Sequence, residues 1–396
     1  MLHIWTVSGE EVVIEKDGLS DVRAVKQHLQ RKRALSRFRV RLLQDGRDLH
    51  DDCAVVALPD GLQMVVLPFS EASDEQVLEF ISAAGDGNLA SVGEILKRPQ
   101  DPNRVVADIR GFPFGRPPHH SQTALAAASD EGYVEVVRML LEASANPDGY
   151  GVGRDYEGPS LVLAAGSGHI EVVRLLVDAR ALTEAVSNFW GTVVDPIVAT
   201  IQGHDPVGNT GRPHGPGANS MGMVQILLEA GADPASITPA LVPHNPASVD
   251  HDARPLVAAS QGGHLEVARL LLESSLAGYV SATQGSANSE HMQRRHLAPA
   301  LVAASSRGYV EMIRLLVQFM GSALDDCRHA MPKARTAVPW TTPLFCASRF
   351  GHVGIVSLLL GARADPDTVC GDDGLTALSV AAGDGHVEIV RLLLGS

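Results

Sequence analysis

One ten-residue phrase returns along the chain: GYVEVVRMLL from Gly132, GHIEVVRLLV from Gly168, GHLEVARLLL from Gly263, GYVEMIRLLV from Gly308 and GHVEIVRLLL from Gly385. GHVGIVSLLL from Gly351 is a looser copy. In the copy at Gly132, the residues Val136, Val137, Leu140 and Leu141 fall at i, i+1, i+4 and i+5, which gives a helix one broad apolar face. Glu135, Arg138 and Glu142 take the outer face, with Glu135 and Arg138 one turn apart. A short Ala-rich segment precedes each copy, as in Thr123–Ala128 and Arg254–Ala259, and small side chains there let two helices approach closely. A lone pair of such helices cannot bury so wide a face, so the copies must stack. A stack is an interaction surface far more often than a catalytic pocket.

Eight glycines mark equivalent points: Gly87, Gly132, Gly168, Gly203, Gly263, Gly308, Gly351 and Gly385. They define about eight copies, the first (Leu78–Leu96) and the fourth (Val194–Leu228) divergent. Their successive separations are 45, 36, 35, 60, 45, 43 and 34 residues. A helix pair of this type needs about 33, so the excess is insertion. Residues 101–121, 144–158, 234–253, 274–298 and 321–341 extend the connections between copies, and 203–222 separates the two helices of the fourth. Insertions on one edge of a stack line its binding face. Embedded in or beside them are Phe112, Phe114, Tyr150, Tyr156, Tyr279 and Trp340, and aromatic side chains on loops are efficient contact anchors. These six are the candidate contact residues of the array.

The first seventy residues follow a different period. Leu2, Ile4 and Trp5 begin an apolar stretch, Ser8–Gly9 makes a turn, and Val12–Ile14 begins another, which reads as a hairpin. Ser20–Asp21 supplies a helix start, followed by Val22, Val25 and Leu29 at helical spacing with Arg23, Lys26 and Gln27 on the other face. Two more strand-like pieces follow, 38–43 and 62–67, with an Asp45–Gly46 turn directly after the first.

Composition narrows the chemistry. With 46 acidic against 32 basic residues the net charge is −14, which disfavours a nucleic-acid backbone as ligand. Cys53, Cys327, Cys346 and Cys370 form no C-x-x-C pair, the usage of a reducing compartment. No secretory h-region opens the chain, and no run of about 18 apolar residues occurs. A cytoplasmic protein, or a nuclear one, without membrane insertion is expected. The sixteen histidines do not gather at metal-ligand spacing. His169, His264, His352 and His386 each follow one of the marker glycines, one per copy. Gly151–Gly153 lacks the strand–helix context of a phosphate loop, and no G-x-S-x-G, HExxH or kinase set occurs. No catalytic residue, cofactor or metal is expected.

The repeats resemble ankyrin repeats. Thr342-Pro-Leu344 with Gly351-His352, and Thr376-Ala-Leu378 with Gly385-His386, carry the family phrase, and Gly231–Pro234 and Ala362–Pro366 match its hairpin. Ala126, Val257, Phe345 and Ser379 stand where the family has a histidine after the leucine. The resemblance implies that the histidine after the marker glycine bridges neighbouring loops, and that protein clients bind the concave face.

Residues 1–69 resemble ubiquitin-like domains in Met1–Gly9, Val22–Lys26, Arg41–Leu49 and Leu62–Leu67. That resemblance implies a small α+β β-grasp with an apolar receptor-binding patch at Val7, Leu43 and Val65, where Gln63 replaces the family's basic residue. The short stretch from Gly46 to Leu62 leaves the family's second small helix trimmed, and Pro68-Phe-Ser runs on with no free Gly-Gly end for conjugation.

The expected architecture is therefore a ubiquitin-like β-grasp over 1–69 and an α-solenoid of ankyrin repeats over 70–396. The repeats fall near 74–103, 121–150, 157–186, 192–235, 252–281, 297–325, 340–369 and 374–396. The expected function is a non-catalytic protein-binding adaptor whose head couples a client to a ubiquitin receptor or the proteasome. The alternative is a plain scaffold or regulatory inhibitor whose head only caps or docks, since repeat stacks need polar ends. Val387–Leu394 is as apolar as the interior helices, which leaves either a longer parent chain or a face that meets another molecule.

Overall fold

The computed structural model describes residues 1–33, 35–105, 122–152, 157–184, 186–187, 193–203, 220–234, 254–282, 287–320, 342–370 and 374–396. The chain forms two compact units, Met1–Leu182 and Thr183–Ser396.

The first unit begins with a sheet built on alternation. Strands β1 (Leu2–Thr6), β2 (Glu11–Ile14), β3 (Val40–Gln44), β4 (Arg47–Asp48) and β5 (Gly61–Val66) lie in the order β2-β1-β5-β3-β4, and helix α1 (Val22–Arg33) lies between β2 and β3 in sequence. β1 and β5 run parallel, and the other pairings are antiparallel. Leu2, Ile4, Val12, Ile14, Leu42, Leu62 and Met64 point to one face, because strand side chains alternate, and there they meet Val22, Val25 and Leu29 of α1. Asp21 starts that helix by accepting the Ala24 amide at 2.8 Å. The hairpin, the helix start and the two later strands lie where the sequence pattern puts them. The stretch after Gly46 is less trimmed than expected: it keeps one 3₁₀ turn, Val55–Ala57, and Val55 joins the core.

Two expectations for α1 fail. Lys26, assigned to the solvent face, is only 2% exposed, and its ammonium meets Asp51 Oδ1 at 2.7 Å. Gln27 meets the array, as described below. Local periodicity sorted both as polar and therefore outward, but their partners lie far along the chain.

Helix pairs follow. α2 (Asp74–Gly85) and α3 (Leu89–Lys97) come first, then α4 (Ala124–Glu131) and α5 (Val134–Glu142). A two-stranded ribbon, β6 (Tyr150–Val152) and β7 (Glu157–Pro159), leads to α6 (Ser160–Gly166) and α7 (Ile170–Asp178). The first helices of the pairs, α2, α4 and α6, pack side by side in one layer, and α3, α5 and α7 pack in the other. Alanines make the close approach, with Ala124, Ala126, Ala127 and Ala128 all buried in α4. Ser73 and Thr123 cap α2 and α4, accepting the Gln76 and Ala126 amides.

The second unit repeats the scheme. It holds β8 (Val186–Ser187), β9 (Val193–Val194), α8 (Pro196–Gln202), α9 (Ser220–Glu229), α10 (Pro255–Gly262), α11 (Leu265–Ala282), α12 (Ala287–Arg307) and α13 (Val310–Met320). It ends with α14 (Pro343–Arg349), α15 (Val353–Gly361), α16 (Ala377–Gly383) and α17 (Val387–Leu394). Asp195, Thr342 and Thr376 cap α8, α14 and α16. The insertion 274–298 does not simply lengthen a connection: α11 runs on to Ala282 and α12 starts at Ala287, so much of it is helix.

Candidate protein-binding surfaces

The outward face of the sheet is the first surface. Leu43 pairs with Gln63 and Arg41 with Val65 across β3 and β5, so these four alternate with the buried Leu42 and Met64. Leu43 and Val65 are half-buried, and Val7, in the turn after β1, is 72% exposed. Trp5, opposite Gln63 in the parallel register, shares this face at 42% exposure, its ring resting on Gly61. Val13 on β2 is also exposed there. Sequence reading missed Trp5. The signal was its place two residues from His3 and one from the core position Ile4. A His3–Glu11 hydrogen bond and an Arg41–Asp48 ion pair edge the patch.

The second surface is the edge from which the connections leave the helix pairs. Hydrogen bonds tie successive connections together. Asn103 Oδ1 accepts the Asn146 amide at 2.6 Å, and Asp148 Oδ1 accepts the Leu182 amide at 2.7 Å. Tyr150 stands in β6, half-buried, with its carbonyl accepting the Thr123 amide at 3.1 Å. Of the other aromatic candidates, Phe112, Phe114, Tyr156 and Trp340 lie outside the described residues. Tyr279 lies on α11, its side chain likewise outside them.

The marker glycines explain how the copies register. Gly351 has φ +79°, and a Cβ there would lie 2.8 Å from the His386 imidazole. The ring takes the space that glycine leaves and reaches back one copy, its Nε2 bonding Arg349 O at 3.0 Å. His352 makes the same bridge to Ser306 O, and His169 to Asp130 O. Tyr133 and Tyr309 pack their rings on Gly87 and Gly263 in the same manner. His264 differs, folding over Gly262 within its own copy, where burial pulls its pKa below the ordinary value. His169, His352 and His386 thus join neighbouring copies of the stack. Among the described residues no group of three or more His, Cys, Asp or Glu is placed to hold a metal ion, and no helix is long and apolar enough to cross a membrane.

The head also touches the array within the first unit. Arg37 Nε meets Glu142 Oε2 at 2.5 Å, Gln27 Nε2 donates to Glu142 Oε1 at 2.9 Å, and Gln30 Nε2 to Leu141 O at 3.2 Å. Glu142, read as an outer-face residue, is therefore a docking residue. The partner it finds is Arg37, 105 positions away, which no local pattern reveals.

Layered helix pairs with bridged connections define a repeat protein of the interaction class. A family model for ankyrin repeats (3 copies) matches residues 80–186 and 301–396, and the chain belongs to the ankyrin-repeat family. No match to a curated protein was found. Ankyrin repeats are in general non-catalytic modules that bind other proteins.

Proposed function

We propose that the chain is a protein-binding adaptor with two working surfaces: a client held on the array side, and a receptor of the ubiquitin or proteasome machinery met by the sheet of the head. The observation that carries this reading is the outward sheet face, where Trp5, Val7, Leu43 and Val65 remain accessible although the helical side of the same head is engaged by Glu142. The strand order and the resemblance of residues 1–69 to ubiquitin-like domains support it. On this reading the domains are the head, 1–69, and a solenoid of eight repeats, 70–396. The connections with Phe112, Phe114, Tyr150, Tyr156 and Trp340, together with Tyr279 on α11, supply client specificity.

The alternative, a scaffold whose head only docks, has a specific observation in its favour, the Arg37–Glu142 contact. The two readings differ over the sheet face. Leu43→Asp in the full chain, with Arg37 and Glu142 intact, separates them. The adaptor reading expects capture of ubiquitin receptors or proteasome subunits to fall at least ten-fold, because a buried unpaired carboxylate at an interface costs more than about 1.4 kcal/mol. Undiminished capture, or no such partner for the unmodified chain, favours the docking scaffold.

A further inference from the structure

Three nitrogen donors of the head converge on the last turn of α5. Gln30 takes the Leu141 carbonyl, while Gln27 and Arg37 take one oxygen each of the Glu142 carboxylate. A helix end exposes unpaired carbonyls and the negative end of the backbone dipole, so a glutamate there is unfavourable by itself. The head meets both carboxylate oxygens of Glu142, and its Gln30 adds a second donor to the Leu141 carbonyl, which already accepts the Ser144 amide at 3.0 Å. In the docked head Arg37 is 8% exposed, lies over the Phe38 ring at 4.0 Å, and has Asp51 Oδ2 at 3.5 Å. Asp51 is already shared with the buried Lys26. Two buried cations thus face two carboxylates, one from the head and one from the array. Without Glu142, that face of the head keeps an excess positive charge and the Gln27 amide loses its acceptor, while Gln30 still meets the Leu141 carbonyl.

The apolar contacts are organised differently. The buried core of the head runs from Leu2 to Met64 and includes no side chain of the array. The connecting segment is pinned through its backbone, Leu67 N to Arg39 O at 2.8 Å and Ser70 N to Pro99 O at 2.7 Å. A head with a closed core, joined through polar contacts, can leave its seat without unfolding; interfaces between domains of this polar kind behave as reversible ones.

We propose that α1 with Arg37 is a recognition site for an acidic helix end, that α5 fills it in cis, and that the contact works as a latch which opens with the head still folded. This inference does not depend on what the sheet face or the array binds.

The test uses the full chain and an amidated peptide of residues 133–146 as probe. The unmodified chain binds no peptide, because a tethered ligand at millimolar effective concentration holds the site. Glu142→Lys opens the latch: the radius of gyration by small-angle scattering rises, chymotrypsin cuts after the exposed Phe69 about ten-fold faster, and the chain binds the peptide but not its version with lysine in place of the glutamate. Glu142→Gln, nearly isosteric, opens to a smaller extent and serves if the lysine variant does not fold by circular dichroism. Scattering and cleavage unchanged in both variants would overturn the latch. Opening without peptide binding would overturn the recognition site, leaving a simple charge clash.

Discussion

Replacing Asp51 with alanine is expected to destabilise the head by about 3 kcal/mol, the lower end of what breaking a buried ion pair costs. The lower end applies because Asp51 itself keeps about a third of its side chain in water, at 32% exposure, while its partners Lys26 and Arg37 keep 2% and 8%. Alanine strands the Lys26 ammonium in the core with no carboxylate in reach. Lys26→Met together with Asp51→Asn is expected to recover most of the loss, since an apolar side chain of similar length needs no partner. Burial raises the Asp51 carboxyl, but the Lys26 hydrogen bond and charge, with Arg37 and Arg23, outweigh it and hold the group below the ordinary carboxylate range. A carboxyl depressed on folding contributes stability above its unfolded pKa, about 3.9, and loses it as pH falls through the folded value. Denaturant titrations of the full chain, followed by hydrogen exchange in α1 and the sheet, should therefore show the native advantage over Asp51→Ala shrinking below about pH 4. An alanine variant within about 0.5 kcal/mol of the native chain at pH 7 would falsify the pairing.

The second large effect compares two glycines in one unit. Gly351 and Gly385 have nearly the same backbone, φ +79° and +78°, but only Gly351 has a ring where its Cβ would go. Gly385→Ala is expected to cost the backbone strain alone, about 1 kcal/mol. Gly351→Ala adds the displacement of the His386 imidazole and the loss of its bond to Arg349 O, a further 1–2 kcal/mol or about two to three times the effect in all. Double substitution with His386→Ala is the check. If the ring is the cause, the two changes are non-additive, and Gly351→Ala in that background costs no more than Gly385→Ala.

Much of this molecule could be read from its sequence. The marker glycines, the threonine caps at Thr123, Thr342 and Thr376, and the valine and leucine spacing each encode a local event, a left-handed turn, a capped amide or a buried stripe. The histidine bridges came from the resemblance to ankyrin repeats: His169, His352 and His386 each reach back to the same place one copy earlier, while His264 folds over Gly262 instead. What was not legible is long-range and polar. Lys26 has the composition of a surface residue and becomes a core residue only because Asp51 lies over it. Glu142 directly follows a phrase whose copies carry their polar faces outward, and its role depends on a head more than a hundred positions away. Trp5 was counted with the strand and not with the surface, since an exposed aromatic on a sheet differs from a core one only by parity. The sheet patch itself, Val7, Leu43 and Val65, came from resemblance; alternation then explains why Leu43 and Val65 turn outward while Leu42 and Met64 turn in.

The most direct measurement is cross-linking mass spectrometry on complexes captured by the full chain. The two-surface account predicts two sets of cross-links from different proteins: one from residues of the head, such as Lys16 and Lys32, and one from residues of the inserted segments, such as Lys333 in 321–341. Cross-links from a single partner to both regions at once, or none to the head while the array is occupied, would contradict it.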